Sequence, residues 1–229
     1  ATSTNSDLYV VPIEGGEAVA ITSNLAADTS PVYSPDGGAV YYSRNVTSGP
    51  IFEYAQDSTQ GTFAIERYDL ATGEVTTAVS GYGGAVRPQP SPDGKRLAFI
   101  RRDKDQTELW IKDLASGAQR MIYGDLDMDM QETWAVHGFY PLMDWMPDGN
   151  SIVLWAGGKL QRVSADGSGA SVIPFTIDDT RGVAGDVGKR QRVDHQYVFG
   201  LFVGHRRAEP VYLWHHQSRC HRPDKVCRS

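Results

Sequence analysis

Cysteine is nearly missing from this chain of 229 residues: only Cys220 and Cys227 carry thiols, and both lie among the last ten positions. The body therefore needs no disulfides to hold it. No run approaches the roughly 20 apolar residues of a membrane-spanning helix, so no membrane span is expected. The opening Ala-Thr-Ser-Thr-Asn-Ser-Asp lacks the basic-then-apolar layout of a signal peptide, and the chain reads as a mature product or as starting inside a gene. Net positive charge is also lacking. At a formal charge of −6 the chain has no surplus of cations to displace counterions from phosphates, which argues against a nucleic-acid partner.

The usual catalytic signatures are missing too. The sequence has no His-x-His pair of the kind that holds a hydrolytic metal, no Gly-x-Ser-x-Gly elbow and no His-Glu-x-x-His helix. Hydrolytic chemistry is not expected from these residues, and no catalytic, cofactor-binding or metal-binding residue is assigned.

What is present is a chain of two compositions. The first 180 residues hold twelve Lys and Arg against twenty-four Asp and Glu, whereas residues 181–229 hold ten against four. Five of the six histidines, His195, His205, His215, His216 and His221, also fall in that basic tail with both cysteines. The charge reversal places a boundary near Thr180. The tail's His and Cys are ligand types for zinc, but their spacing fits no standard finger or knuckle. It reads as a divergent or non-native extension.

Before that boundary the chain repeats. Pro31-Val-Tyr-Ser-Pro-Asp-Gly-Gly-Ala-Val-Tyr-Tyr-Ser, Pro88-Gln-Pro-Ser-Pro-Asp-Gly-Lys-Arg-Leu-Ala-Phe-Ile and Pro141-Leu-Met-Asp-Trp-Met-Pro-Asp-Gly-Asn-Ser-Ile-Val-Leu-Trp align on a strand, a turn and a second strand. Proline presets φ, aspartate bonds the backbone ahead of it, and glycine accepts positive φ. The signature residues are thus Asp36 with Gly37, Asp93 with Gly94, and Asp148 with Gly149. A second hairpin follows each, over 64–79, 108–122 and 159–173, and an unpartnered copy spans 7–22.

Four strands per repeat predict an all-β chain, a partial β-propeller of about three and a half antiparallel blades with very little helix. A β-sandwich is the competing architecture. Propellers typically close with four to eight blades, so the ring is expected to be completed by more of the same protein or by another copy.

The Ser-Pro-Asp-Gly-Lys signature from Ser91 to Phe99 resembles the TolB-type propeller repeat. Five further segments are similar to the propeller portion of large secreted bacterial amidohydrolases. They are Val46-Thr-Ser-Gly-Pro-Ile-Phe-Glu-Tyr-Ala, Arg67-Tyr-Asp-Leu-Ala-Thr-Gly-Glu, Gly83-Gly-Ala-Val-Arg-Pro-Gln-Pro-Ser-Pro-Asp-Gly, Asp129-Met-Gln-Glu-Thr-Trp-Ala-Val-His-Gly and Trp155-Ala-Gly-Gly-Lys-Leu. The resemblance covers roughly residues 5–180. It implies a non-catalytic propeller that gates or orients substrate beside a missing barrel, the barrel using a divalent metal such as zinc. It also implies a periplasmic or secreted setting, with the catalytic domain or another protein as partner. The alternatives are a stand-alone TolB-like protein-binding module and the propeller of a prolyl-oligopeptidase-like serine peptidase.

Three features are candidates for binding. Glu132, Trp134 and His137 fall between repeats, where loops line a propeller's end face, and are the first choice. Asp125-Leu-Asp-Met-Asp-Met-Gln-Glu alternates carboxylates as a calcium loop does, without the glycine and distal glutamate of an EF-hand, and reads as a solvated acidic loop. The insertion from Asn45 to Thr62 separates the strands of one repeat and carries Phe52 and Tyr54. Trp110, Trp145 and Trp155 lie on predicted strands and are expected to pack between blades.

Overall fold

The computed structural model describes residues 6–24, 26–46, 61–127 and 141–175, with the backbone of 211–215. Among the described residues every element is a strand. Sheet I is β3 (Asp28–Tyr33), β4 (Ala39–Asn45), β5 (Phe63–Asp69) and β6 (Val75–Val79). Sheet II is β7 (Val86–Pro90), β8 (Arg96–Asp103), β9 (Gln106–Asp113) and β10 (Gln119–Tyr123). Sheet III is β11 (Met143–Trp145), β12 (Ser151–Ala156), β13 (Lys159–Ser164) and β14 (Ala170–Val172). Each is an antiparallel meander in chain order. A short sheet joins β1 (Leu8–Pro12) to β2 (Val19–Ala20), and β15 (Val211–His215) pairs antiparallel with the other edge of β1, Leu8 opposite His215.

The stacking of these sheets is written in β8. Leu97, Ala98, Phe99 and Ile100 are consecutive, and all four are fully buried at 0% exposure. Neighbouring strand residues point to opposite faces, so a strand of a two-layer sandwich would leave every second one in contact with solvent. Here Leu97 and Phe99 join Tyr41, Ile65 and Val79 of sheet I, while Ala98 and Ile100 join Ile152, Leu154 and Val163 of sheet III. Sheet II is covered on both faces, as a propeller blade is.

The first strands lie together, with β7 beside both β3 and β11. β3 and β7 carry the same irregularity: register slips between Thr29 and Val32 and between Val86 and Gln89, where Ser30 and Arg87 adopt φ of 52° and 56°. Bulges of this kind bend a strand and increase its twist.

The short sheet meets sheet I through Leu8, packed with Val40 and Tyr42. Beside it Asp28, fully buried, receives Arg44 Nε at 2.8 Å and Nη2 at 3.0 Å, with Asn24 Nδ2 at 2.9 Å. Removing one partner of a buried pair strands the other charge, at a cost of about 3–5 kcal/mol when both are enclosed. The Arg44 side chain retains 21% exposure and can rehydrate, so Asp28→Ala is expected to lower stability by about 2–3 kcal/mol, read by urea unfolding. No loss would mean that this pair does not anchor β3.

Candidate functional site

The two ends of the stack differ. At one end lie the Pro-Asp-Gly turns and the second-hairpin turns, tied together within each sheet: Leu70 N donates to Gly38 O, Leu114 N to Lys95 O and Ala165 N to Asn150 O. All six signature residues sit here, with Gly37, Gly94 and Gly149 at φ of 72°, 68° and 67°. Ser34 Oγ donates to Asp36 Oδ1 at 2.5 Å and accepts from Ala39 N, and Gly38 N donates to the same carboxylate. Ser91 and Asp93 repeat the arrangement with Arg96 N and Lys95 N. In the third copy Met146 replaces the serine, leaving Asn150 N on Asp148 Oδ1.

These bonds favour the ionised carboxylates. The Ser34 hydroxyl holds Asp36 below its ordinary pKa and the Ser91 hydroxyl does the same for Asp93. Asp69, Asp113 and Asp166 are lowered in the second-hairpin turns, by the Thr72 amide, the Ser116 amide and the Ser168 hydroxyl respectively. A group whose folded pKa is depressed contributes stability that is complete above its unfolded value, about 4, and is lost as pH falls through the folded value. Urea midpoints are therefore expected to fall below about pH 4, and Asp93→Asn to flatten that acid limb. An acid limb unchanged by Asp93→Asn would remove this turn from the account.

Across the junction of sheets II and III, long cations reach carbonyls. Arg96 Nη2 donates to Gly149 O at 2.7 Å and Arg120 Nη2 to Ala165 O at 2.6 Å. The Arg96 guanidinium also lies 4.8 Å from the Trp145 ring centroid. Trp145 is buried, its Nε1–H donating to Gln89 O at 2.9 Å, and Gln89 Nε2 donates to Asp144 Oδ1. The signature turn of the third repeat is thus part of a junction as well as a hairpin. Motif reading missed Arg96 and Arg120, because a lysine or arginine on a strand carries no local sign of its partner.

At the opposite end, Gly83 and Gly84 bring backbones into contact. Gly83 O accepts from Arg102 N and Gly84 O from Arg101 Nε, while Ala85 N donates to Phe63 O. β4 ends and β5 begins at this end, on either side of the sequence insertion, and β10 ends and β11 begins here, on either side of the acidic segment. Glu132, Trp134 and His137, with Phe52 and Tyr54, lie outside the described residues. Of the acidic segment, Asp127 is described: both carboxylate oxygens face Gly157 N, at 3.1 and 3.2 Å, joining it to the β12–β13 turn. Among the described residues no three His, Cys, Asp or Glu side chains gather as metal ligands, and no helix is long and apolar enough to cross a membrane.

The tryptophans divide. Trp145 is enclosed and Trp110 packs partly buried against Leu97 and Phe99, as expected, but Trp155 is 44% exposed. It stands on the outward face of sheet III, which no described element covers.

No protein-family model matches the chain. It is 30% identical to an uncharacterized peptidase, YuxL, of Bacillus subtilis over 131 residues, 57% of this chain and 17% of that protein. It is 31% identical to dipeptidyl-peptidase 5 of Porphyromonas gingivalis over 122 residues, 52% of this chain and again 17% of the relative. The chain thus spans about a sixth of the length of these two relatives. Among solved structures, TolB from Acinetobacter baumannii superposes with a TM-score of 0.55 at 19% identity, covering 76% of this chain and 43% of that one. Putative TolB from Agrobacterium tumefaciens gives 0.52 at 21% identity, covering 73% and 56%. The fold is a partial, TolB-like β-propeller.

Proposed function

We propose that this chain is the non-catalytic propeller portion of a larger hydrolase of the peptidase kind, a rigid support that holds end-face loops beside a catalytic domain. The observation that carries this reading is the match to two proteins named as peptidases, at 30% and 31% identity over 131 and 122 residues and over only 17% of their length. What the sheets supply physically is stiffness. A sheet buried on both faces and the close backbone contacts at Gly83 and Gly84 hold the strand ends on that side, and loops on such ends are where binding residues collect. Glu132, Trp134 and His137 are proposed as the binding residues on that basis.

A second reading is favoured by the motifs outside the generic repeat, notably those beginning at Val46 and Asp129: the propeller of an amidohydrolase, whose barrel would hold a divalent metal such as zinc. Fold alone does not choose between the two. A periplasmic or secreted setting is proposed for either.

The coding sequence contiguous with this chain decides the matter. A Gly-x-Ser-x-Gly elbow followed by Asp and His supports the peptidase reading, and a His-x-His barrel replaces it with the second. An open reading frame holding neither overturns both, in favour of a stand-alone module that binds protein.

A further inference from the structure

Four Asp-Gly pairs occur in the chain, at 36–37, 93–94, 148–149 and 166–167, and all four lie in tight turns. Asp-Gly is a chemically labile pair, because glycine has no side chain to keep its amide away from the carboxyl before it. The reacting amide is held alike in every copy: Gly37, Gly94 and Gly149 each donate to the carbonyl three residues back at 2.8 Å, and Gly167 does so at 3.0 Å. The four differ in what holds the carboxyl.

Ser34 Oγ donates to Asp36 and Ser91 Oγ to Asp93, both at 2.5 Å, and the Ser168 hydroxyl reaches Asp166. Each hydroxyl holds its carboxyl below the ordinary pKa and so keeps it in the anionic, unreactive form. Met146 stands where Asp148 would find such a serine, and Ser151 Oγ accepts from Arg162 Nε instead. Asp148 is left with Asn150 N at 2.9 Å and with Arg162 Nη2 at 3.9 Å. That ion pair is weak, since its side chains are 51% and 45% exposed.

We propose that Asp148-Gly149 is a covalent modification site, the turn at which the folded chain isomerises to a backbone isoaspartate while its three counterparts stay intact. Gly149 N attacks Cγ of the protonated Asp148 carboxyl, the N–Cγ bond forms, the amide proton goes to solvent and the carboxyl hydroxyl leaves as water. Water then adds to the Asp148 main-chain carbonyl carbon of the cyclic imide and its bond to Gly149 N breaks. The backbone now runs through Cβ and Cγ, with a free α-carboxylate and no net change in atoms. Arg96 Nη2 grips Gly149 O at 2.7 Å, the carbonyl beyond the reacting amide, so it leaves that amide no better held than the others. The inserted methylene displaces this carbonyl, and the change is felt where sheet II meets sheet III.

Peptide mapping of the full chain, aged in the folded state near neutral pH, tests the proposal. Endoproteinase Asp-N cleaves before aspartate and spares isoaspartate. Isoaspartate is expected at 148 at least ~10-fold faster than at 36, 93 or 166, the factor that a hydrogen bond to a charged group is worth. Met146→Ser should slow position 148 to the rate of 93, and Ser91→Ala should raise 93 toward the rate of 148, with far-UV circular dichroism verifying that each variant is folded. In urea the four rates should converge, because the turns that distinguish them are gone. Folded chain reacting no faster at 148 than at 93 overturns the proposal. So does a lead at 148 that persists in urea, or one indifferent to both substitutions.

Discussion

Replacing Trp145 with alanine is expected to cost about 3–5 kcal/mol, the range for emptying a buried indole site. The loss has three sources at one junction. The ring fills space among Ala98, Ile100, Ile111 and Ile152, its N–H satisfies Gln89 O, and Arg96 lies over its face while bonding Gly149 O. Trp145→Phe separates them. It keeps most of the packing and forfeits the N–H bond, so about 1–2 kcal/mol should go, the lost bond leaving Gln89 O to seek water. Urea unfolding followed by circular dichroism measures both. Equal losses for the two variants would mean that the hydrogen bond, not the packed ring, holds sheet III in place.

Gly83→Ala should be as severe from a single methyl group. A Cβ built on Gly83 would stand 1.7 Å from Arg102 O, far inside van der Waals contact, and φ is +73°. The obstructing atom is backbone of β8, held by its own ladder to β9, and it cannot swing aside. Gly94→Ala is the matched control: φ is +68° but nothing lies within 4 Å. Strain alone costs about 1 kcal/mol there, whereas Gly83→Ala adds overpacking that pushes the lead-in to β7 off β8 and should exceed about 3 kcal/mol. The thermal midpoints of the two variants give the comparison. Similar midpoints would show that the backbones at this junction are farther apart than described.

The repeat was legible because its turns are chemically demanding. Ser-Pro-Asp-Gly leaves few conformations open, and the expected second hairpins coincide with β5–β6, β9–β10 and β13–β14. Even the insertion was bounded, since β4 ends at Asn45 and β5 begins at Phe63. What stayed hidden were relations between sheets. Gly83-Gly84 looks like any flexible pair until Phe63 O of sheet I is placed against Gly84. Ser30 and Arg87 give no hint of positive φ, because the inner-strand bulge imposes it on whatever residue stands there. Trp155 carries the same strand pattern as Ile100, and only the absence of a described neighbour over its face separates their exposures. Val211-Tyr-Leu-Trp-His is a β-prone run inside a tail that composition alone set apart, and its pairing with β1 depends on an edge from the far end of the sequence. Of the candidate site, the elements on either side of Glu132, Trp134 and His137 were foreseen, while those residues lie beyond what the structure describes.

Everything rests on β8 being enclosed by a different sheet on each side, and methyl and aromatic NOEs from that strand test this directly. Leu97 and Phe99 should show contacts to Tyr41 and Ile65, and Ala98 and Ile100 to Ile152 and Leu154. Contacts from only one alternate set, with the other in solvent, would describe one wall of a two-layer sandwich and contradict the stacked-blade account.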